Sequence, residues 1–314
     1  MNPIIVIGSL NMDLVVQTLK FPRAGETVAA ASFQTTPGGK GANQAIAAAR
    51  LSSGAQVFMV GQVGEDAFGM QLINNLTAEH INTAEIRRLP KVSTGVAVIL
   101  VEPNGENRIL IIPGANGMLS PEAIDTASDL IGQASLLVMQ FEIPLETIER
   151  AIHLANARGV PVLFNPAPAN SIPDELLGLV DYLVLNEIES EMLTGLPVSD
   201  EFSARAAGQR LLNGRTQLVV ITLGSMGAVA LTPDSAVYVP AYEVHAVDTT
   251  AAGDAFIGAL AASLIQHKGL EESVMFASAA GALAVTRVGA QSSIPMLDEV
   301  MAFLEKRSVS IKTL

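Results

Sequence analysis

Patterns typical of buried strands alternate with helical patterns over most of the chain. Six short apolar runs have the length and composition of buried parallel strands, at residues 4–7, 56–60, 135–139, 161–164, 182–185 and 218–222. Helical patterns lie between them, at residues 42–52, 66–79, 144–158 and 203–212. This alternation predicts an α/β fold in which a mostly parallel central sheet is flanked by helices on both faces.

Two regions, residues 13–34 and 94–112, interrupt the alternation. The second has the pattern of two strands around a turn at residues 103–106 (PNGE), whose Asn-Gly pair tolerates positive φ. Its alternation predicts one apolar face, formed by Val96, Val98, Leu100, Ile109 and Ile111. We expect a small antiparallel β lid that projects from a main domain of residues 1–12, 35–93 and 113–314. A partner subunit or a substrate cleft would cover its apolar face.

The composition excludes several classes of function. The chain of 314 residues has a formal net charge of −13 and contains no Cys and no Trp. Such a charge repels nucleic acid and anionic membranes, and without Cys there is no disulfide framework and no thiolate metal site. No apolar run is long enough to cross a bilayer, and the first residues lack the features of a signal peptide. We therefore expect a cytoplasmic protein that binds neither nucleic acid nor membrane.

Residues 248–256 (DTTAAGDAF) place small residues and one carboxylate at the start of a long Ala-rich helix. A helix N-terminus offers unpaired N–H groups and a partial positive charge. Ala251, Ala252 and Gly253 would let a phosphate approach those groups closely. Asp254 would then lie beside the phosphate, placed to accept a proton from an attacking hydroxyl. The alternative is that Asp254 serves only the helix dipole, because acidic residues are common in first turns.

A second Gly-rich segment, residues 38–43 (GGKGAN), precedes another helix. Its glycines would let the backbone approach a ligand, and Lys40 and Asn43 add donors. The segment is neither a Walker A loop nor a dinucleotide fingerprint, because the required spacing of glycines and the Ser or Thr after the Lys are missing. Taken alone, such a segment is more often a structural turn than a binding site.

Polar or Gly-rich residues follow one predicted strand after another. They are Asn11, Asp13, Glu142, residues 165–168 (NPAP), Asn186 and residues 222–227 (TLGSMG). Because ligands bind at the carboxyl ends of parallel strands, these residues indicate the functional edge of the sheet. Asn186 and Glu189 also have capping-box spacing, and from spacing alone we favour a helix cap over a Mg²⁺ site.

The sequence lacks the signatures of several other reaction classes. The four His residues are scattered, so zinc hydrolysis and triad chemistry are not expected. A nicotinamide-dependent oxidoreductase is disfavoured because no G-x-G-x-x-G follows the first strand.

Residues 38–45 (GGKGANQA) and 248–256 (DTTAAGDAF), in this order, resemble the two signatures of the ribokinase-like (PfkB-type) carbohydrate kinases. Shorter segments between them are similar to that family in the same order, at residues 93–97, 113–116, 165–169, 186–189 and 222–227. The resemblance implies the family's fold and ATP-dependent phosphorylation of the 5-hydroxyl of D-ribose. Deoxyribose or a nucleoside is the alternative acceptor, and a non-catalytic sugar- or nucleotide-sensing module is the alternative from another class.

The resemblance also implies roles for particular residues. The sugar would be held by Asn11, Met12, Asp13, Gly39, Lys40, Gly41, Ala42, Asn43 and Glu142. Asp254 would be the general base, and the backbone of Ala251, Ala252, Gly253 and Asp254 would form an anion hole for the γ-phosphate. ATP would be bound by Asn186, Thr222, Leu223, Gly224, Ser225, Met226, Gly227, Gly253, Asp254 and Ser278.

Two cations and a partner subunit follow from the same resemblance. A monovalent cation site, usually filled by K⁺, would be formed by Asp248, Thr250, Ala284, Arg287, Gly289 and Ser293. Asn186 and Glu189 match a motif that influences Mg²⁺ and phosphate binding, and the lid matches the element through which the family's ribose-phosphorylating members commonly form homodimers. Phosphoryl transfer requires positioning and charge stabilisation, and a free sugar requires several buried polar partners, so the residue types agree with these roles.

Overall fold

The computed structural model describes residues 2–103, 106–307 and 312–313. Its strands are β1 (Ile4–Ile7), β2 (Asn11–Thr18), β3 (Ala30–Gly38), β4 (Val57–Gly64), β5 (Ile86–Leu89), β6 (Gly95–Val101), β7 (Asn107–Ile112), β8 (Leu136–Gln140), β9 (Val162–Asn165), β10 (Tyr182–Leu185), β11 (Leu218–Thr222), β12 (Gly227–Leu231), β13 (Ala236–Pro240) and β14 (Lys312–Thr313). Its helices are α1 (Lys40–Leu51), α2 (Ala67–Ala78), α3 (Pro121–Thr126), α4 (Ser128–Ile131), α5 (Leu145–Ala157), α6 (Asp174–Leu177), α7 (Glu187–Thr194), α8 (Glu201–Leu211), α9 (Ala252–Ile265), α10 (Leu270–Ala284) and α11 (Leu297–Lys306). The Asn-Gly pair of the predicted turn, at positions 104 and 105, lies outside the described residues.

Ten strands form the central sheet, in the order β14-β13-β12-β11-β10-β9-β8-β1-β4-β5. The strands from β11 to β5 run parallel, and β12, β13 and β14 extend the sheet with antiparallel pairs. All six predicted strands are confirmed in the parallel part, with ends that differ by a few residues at most, except β4, which continues to Gly64. The mostly parallel central sheet is therefore confirmed.

The sheet separates two apolar layers. In β1, Ile4 and Val6 belong to one buried cluster, and Ile5 and Ile7 belong to the other, because successive side chains of a strand point to opposite faces. Helices α1, α2, α9, α10 and α11 contribute to the first cluster, and α3, α4, α5, α6 and α8 contribute to the second. Both faces are covered, which explains why the strands are apolar throughout. Within the described ranges, no helix has the length and apolar character needed to cross a membrane.

Helices α1 and α9 pack closely because a glycine lies at their contact. A Cβ atom at Gly258 would lie 2.2 Å from Ala47 Cβ and 2.6 Å from Ala48 N. Neither contact is possible without movement of a helix, since the second partner is a backbone atom. This close approach brings the first turns of the two helices together at the carboxyl edge of the sheet.

Replacing Gly258 with Ala is expected to lower the free energy of unfolding by about 1–3 kcal/mol through overpacking, despite the better helix propensity of Ala. Denaturant unfolding measures the change. Gly269→Ala is the control without a steric clash, because a Cβ there would meet nothing within 4 Å. Gly269 is the N-cap of α10, where Ala is less favourable than Gly, so we expect a loss below about 1 kcal/mol. Equal stabilities for the two variants would contradict the packing argument.

Four strands form a second, small sheet in the order β3-β2-β6-β7. The β2–β3 and β6–β7 ladders are antiparallel, as expected for a lid, whereas the central β2–β6 ladder is parallel. Both β2 and β6 leave the main domain in the same direction and return through β3 and β7. Two outgoing strands that lie side by side must therefore run parallel.

The register of β6 and β7 corrects the predicted apolar face. Val98 lies opposite Leu110, and Ile99 lies opposite Ile109. Because directly opposed residues share a face, Val96, Val98 and Leu100 lie on the other face from Ile109 and Ile111. The turn sets this register, and the lid is apolar on both faces rather than on one.

Candidate active site

Asp254 lies in the first turn of α9, and only 7% of its surface is exposed. Asn43 Nδ2 donates a hydrogen bond to Asp254 Oδ2 at 2.9 Å, and Gln44 Nε2 donates to Asp254 Oδ1 at 2.9 Å. Both donors come from α1, so the carboxylate is fixed by a second helix. A residue that served only the dipole of its own helix would not require these two buried partners.

The backbone turn before Asp254 leaves space and donors for an anion. Ala251 has a left-handed conformation, with φ of +59°, and provides no side-chain cap to α9. The N–H group of Ala252 donates to Thr249 O at 3.3 Å, whereas those of Gly253 and Asp254 have no acceptor within their own helix, as in any first turn. A Cβ atom at Gly253 would meet nothing within 4 Å. The turn can therefore receive a phosphate group.

The predicted sugar-binding residues converge where β1, β8 and α1 meet. Ser9 Oγ donates to Glu142 Oε2 at 2.5 Å, and the backbone N–H of Lys40 donates to the same oxygen at 3.1 Å. Gly39 has φ of +90°, and a Cβ atom there would lie 2.7 Å from Asn11 N. Glycine is needed at this position for its positive φ and for the close approach of the two backbone segments. Ser9 was not predicted, although it lies only two residues after the end of β1.

Asn116 holds Asn11 in place. Asn116 Nδ2 donates to Asn11 Oδ1 at 2.7 Å, and the Asn116 side chain also bonds both backbone groups of Leu10. The resemblance included Asn116 without giving it a role, and the structure gives it one in positioning the start of β2.

Two of the predicted sugar-binding residues turn their side chains away from the site. Met12 and Ala42 are almost completely buried in the apolar cluster that contains α1 and α9. Met12 is in a strand whose alternate residues Asn11 and Asp13 face the site, so its own side chain faces the core. Only the backbone of these two residues is available to a ligand.

Four carboxylates and one ammonium determine the electrostatics of the site. Burial, followed by the charges of Glu142 and Asp254, raises the pKa of Asp13 to about 7. Burial lowers the pKa of Lys40, but the carboxylates of Asp254, Glu142 and Glu189 outweigh this effect, and the pKa is raised overall. The ammonium therefore stays charged among the carboxylates, and Asp13 titrates near neutral pH.

A cavity of about 630 Å³ adjoins the start of α9. Most of the predicted nucleotide-binding residues line it, namely Asn186, Thr222, Gly224, Ser225, Gly227, Gly253 and Ser278. Leu223 is buried and Met226 is 41% exposed, and neither lines the cavity. Ser278 Oγ is buried and has no hydrogen-bond partner among the described residues. It can therefore bond to a ligand in the cavity.

The remaining cavity wall was missed by sequence reasoning. It is largely apolar and comes from the segment before α9, from α9 itself and from the end of α10. It includes Tyr242, Val244, Ala246, Phe256, Ala282 and Val285. The segment has no regular secondary structure between β13 and α9, so no periodicity indicated it. An apolar wall with a few polar groups is typical of small-molecule sites.

The capping box predicted for Asn186 and Glu189 is confirmed. Glu189 N donates to Asn186 Oδ1 at 2.9 Å, and Asn186 N donates to Glu189 Oε2 at 3.0 Å. Burial raises the pKa of Glu189, partly offset by the hydrogen bond from Asn186 and the charge of Lys40. No cluster of three His, Cys, Asp or Glu suited to a metal occurs in the described ranges. Binding of Mg²⁺ at this position stays a prediction.

Asp248 organises the turn that precedes the anion site. Its Oδ1 accepts from Thr250 N at 2.9 Å and from Thr250 Oγ1 at 2.6 Å, and its Oδ2 accepts from Gly289 N at 2.9 Å. Burial raises the pKa of Asp248, but the hydrogen bonds from Thr250 and Gly289 outweigh it and lower the pKa overall. The predicted cation-binding segments, residues 248–250 and 284–293, are thus joined.

The remaining predicted cation-binding residues offer mainly oxygen atoms. The Arg287 side chain pairs with Glu299 at 2.5 Å, so only its carbonyl is available. Ser293 Oγ donates to Ala290 O at 2.8 Å and keeps its lone pairs. Carbonyl, hydroxyl and carboxylate oxygens suit K⁺, which binds where such oxygens replace its hydration shell.

Comparison with known proteins agrees with this geometry. The chain matches the model of the pfkB family carbohydrate kinases over residues 1–297. It is 43% identical to a deoxyribokinase of Salmonella typhi over 302 residues, which cover 96% of this chain and 98% of the relative. It is 41% identical to a ribokinase of Haemophilus influenzae over 300 residues, which cover 96% and 97%.

Solved structures have the same fold. Arabidopsis thaliana ribokinase complexed with ribose and ATP aligns with a TM-score of 0.91 at 32% identity, covering 97% of this chain and 99% of that one. Thermotoga maritima ribokinase aligns with a TM-score of 0.88 at 38% identity, covering 97% and 100%. Both signatures, the shared fold and the match along almost the whole chain lead to one conclusion: the chain belongs to the pfkB family of carbohydrate kinases.

Proposed function

We propose that this protein transfers the γ-phosphoryl group of ATP to the 5-hydroxyl of D-ribose, giving D-ribose 5-phosphate and ADP. One observation carries the proposal: the buried carboxylate of Asp254, held by Asn43 and Gln44, lies between the converging polar residues and the cavity of about 630 Å³. The Arabidopsis ribokinase, solved with ribose and ATP, supports both ligands. Because ATP is supplied in the cytoplasm, we expect the reaction there.

Asp254 acts as the general base in the proposed reaction. The sugar hydroxyl gives its proton to the carboxylate as its oxygen attacks the γ-phosphorus, and the bond from that phosphorus to the β-γ bridging oxygen breaks to release ADP. The N–H groups of Gly253 and Asp254 stabilise the charge on the transferred group. Asn43 Oδ1 is buried without a partner in the described part of the chain, and it is available to accept a hydrogen bond from a sugar hydroxyl.

Mg²⁺ would enter with the nucleotide and neutralise phosphate charge when bound. Asn186 and Glu189 face the nucleotide edge of the site but already bond each other in the helix cap. We therefore propose that they act on the ion through ordered water rather than as direct ligands.

We further propose that K⁺ binds between residues 248–250 and 284–293 and fixes the shape of the anion-binding turn. Replacing K⁺ with tetramethylammonium, which is too large for such a site, is expected to lower kcat several-fold and to lower the melting temperature. Asp248→Ala should abolish both responses. A wild-type rate and melting temperature that do not depend on K⁺ would contradict the assignment.

An acceptor panel tests the proposed function. ADP release is measured with D-ribose, 2-deoxy-D-ribose, nucleosides and water, and the acceptors are compared by kcat/KM. We expect D-ribose to give the highest value. The relative named deoxyribokinase makes deoxyribose the specific alternative, and a higher kcat/KM for it would replace ribose as the substrate. Binding of sugar without ADP release from any acceptor would instead indicate a sensing module.

We propose that two copies of the chain associate through the lid, residues 13–34 and 94–112. Large apolar side chains are exposed on both of its faces: Phe33 (63%) and Leu110 (65%) on one, Ile109 (52%) and Ile111 (49%) on the other. A single chain leaves this area in water, which typically marks an interface.

Leu110→Asp is expected to weaken the dimer by at least tenfold, because it places a charge in an apolar contact. Sedimentation velocity across a concentration series measures the change. Phe202→Asp is the control, because Phe202 is 70% exposed on α8, outside the lid. A wild-type protein that is monomeric at all concentrations would contradict the proposal.

A further inference from the structure

Gln44 is a buried polar residue at the active site that has no role in the predicted sugar, nucleotide or cation sets. It lies on α1, directly after Asn43, and is 0% exposed. Its Nε2 donates to Asp254 Oδ1 at 2.9 Å and to Asn165 Oδ1 at 3.3 Å, and its Oε1 accepts from Gln140 Nε2 at 2.7 Å. All the polar atoms of its side chain therefore have partners from three other elements.

The orientation of the Gln44 amide is determined by its neighbours. Asn165 Nδ2 donates to Val184 O at 2.9 Å, so Asn165 presents its oxygen to Gln44. Gln140 presents its amide NH₂ group to Gln44 Oε1. A flipped Gln44 would place its amide oxygen against the Asp254 carboxylate and its NH₂ group against the NH₂ group of Gln140. The hydrogen bonds to Asp254 and to Asn165, whose acceptor oxygens are fixed, would be lost, so only one orientation is stable.

Gln140 maintains this orientation although its own hydrogen bonding is incomplete. It is 0% exposed, and its Oε1 has no partner among the residues that the structure describes. The space for that oxygen exists because residue 8 is glycine, where a Cβ atom would lie 2.0 Å from it. A buried amide with one unpaired atom lowers stability compared with an apolar residue of the same shape. Its position is accounted for if it serves to hold Gln44.

Asn43 and Gln44 together fix the orientation of the Asp254 carboxylate. Its carboxylate receives one amide N–H on each oxygen, from Asn43 on Oδ2 and from Gln44 on Oδ1. Two donors on different oxygens stop rotation of the carboxylate plane and leave one lone-pair direction on each oxygen. A proton acceptor fixed in this way stays aligned with the attacking hydroxyl.

We propose that Gln44 is a positioning residue for the Asp254 base, and that Gln140 and Asn165 hold Gln44 in its working orientation. This rests on the proposed function, because it gives Gln44 a role through Asp254. The expected effect of losing Gln44 falls on kcat, while KM for ribose and for ATP stays within about threefold, because Gln44 faces the base rather than either substrate.

The test uses the full chain and four variants. In Gln44→Leu the new side chain has a shape similar to that of Gln, and kcat is expected to fall about 10- to 100-fold. This variant leaves the NH₂ group of Gln140 unpaired. Gln44→Leu combined with Gln140→Leu removes both amides, so it is expected to melt above Gln44→Leu alone and still to show the loss in kcat. In an Asp254→Asn background, Gln44→Leu should cause no further loss, because its effect passes through that carboxylate.

A folded double variant with wild-type kcat would overturn the proposal, as would an equal fold-loss from Gln44→Leu with and without Asp254. A rise in KM with kcat unchanged would also overturn it, since Gln44 would then contribute to binding. These outcomes differ from failure of the proposed function, in which the wild-type protein releases no ADP with any sugar.

Discussion

Asp254→Asn is expected to lower kcat by a factor of about 10²–10⁴, the usual contribution of a general base. The amide keeps the size of the carboxylate but cannot accept the hydroxyl proton. KM for both substrates should change only a few-fold, because the backbone N–H groups and the residues around Glu142 are unaffected. Steady-state kinetics with D-ribose and ATP measure the change, and a melting curve checks the fold.

Asp181→Asn is the matched control for the loss of a buried carboxylate. Asp181 is 1% exposed, and it accepts hydrogen bonds from Val162 N and from the Arg215 side chain, on strands and loops away from α9. The change should lower stability and leave kcat unchanged. An Asp254→Asn variant that keeps wild-type kcat would remove the assigned role.

Asp13→Asn is expected to raise stability at pH 8 and to weaken sugar binding. The pKa of Asp13 is about 7 in the folded protein, against 3.8 for the unperturbed side chain, mainly because of burial. A raised carboxyl pKa means that the folded state is most favoured below pH 3.8 and loses stability as the pH rises towards about 7. The neutral Asn avoids that loss, which corresponds to a gain on the order of 1–4 kcal/mol at pH 8.

The gain in stability should be accompanied by a loss of function. A hydrogen bond to a charged partner contributes about 1.5–3 kcal/mol, so KM for the sugar should rise about 10- to 100-fold. Urea unfolding at pH 4 and pH 8 and steady-state kinetics give the two readouts. At pH 4 the variant and the wild type should have nearly equal stability, because Asp13 is then protonated in the folded protein.

Asp66→Asn is the control, and its expected change in stability at pH 8 is opposite to that of Asp13→Asn. Burial raises the pKa of Asp66, but hydrogen bonds from Thr94 and Gly69 outweigh it and lower the pKa overall. This carboxylate therefore stabilises the fold above the unfolded pKa and loses that effect as the pH falls, so the variant should lose stability at pH 8. A loss of stability at pH 8 in Asp13→Asn as well would contradict the electrostatic account of the site.

The sequence predicted the parallel sheet and its flanking helices well, because these depend on local patterns. The six apolar runs were long enough to be strands and too short to be helices, and the structure confirms all of them. The capping box of Asn186 and Glu189 is also a local pattern, and it was predicted from spacing. The face of the lid on which Ile109 lies was predicted wrongly, because it depends on the register that the turn sets.

The role of Asp254 was open in the sequence for a different reason. Its partners Asn43 and Gln44 are more than 200 positions away along the chain, and they reach it only because Gly258 lets α9 approach α1. Gln44 directly follows the Gly-rich segment, residues 38–43, and its only local signal is a polar pair in an Ala-rich helix. Such a contact becomes visible only in the folded structure, as does the apolar cavity wall that includes Tyr242.

The identity of the phosphorylated product tests the central claim most directly. The wild-type protein is incubated with ATP, Mg²⁺, K⁺ and D-ribose, and the product is identified by ³¹P and ¹³C NMR. The account predicts stoichiometric ADP and ribose phosphorylated on the 5-hydroxyl, with this product nearly absent when Asp254→Asn is used. Phosphate on another hydroxyl, or ADP formed with inorganic phosphate alone, would contradict it.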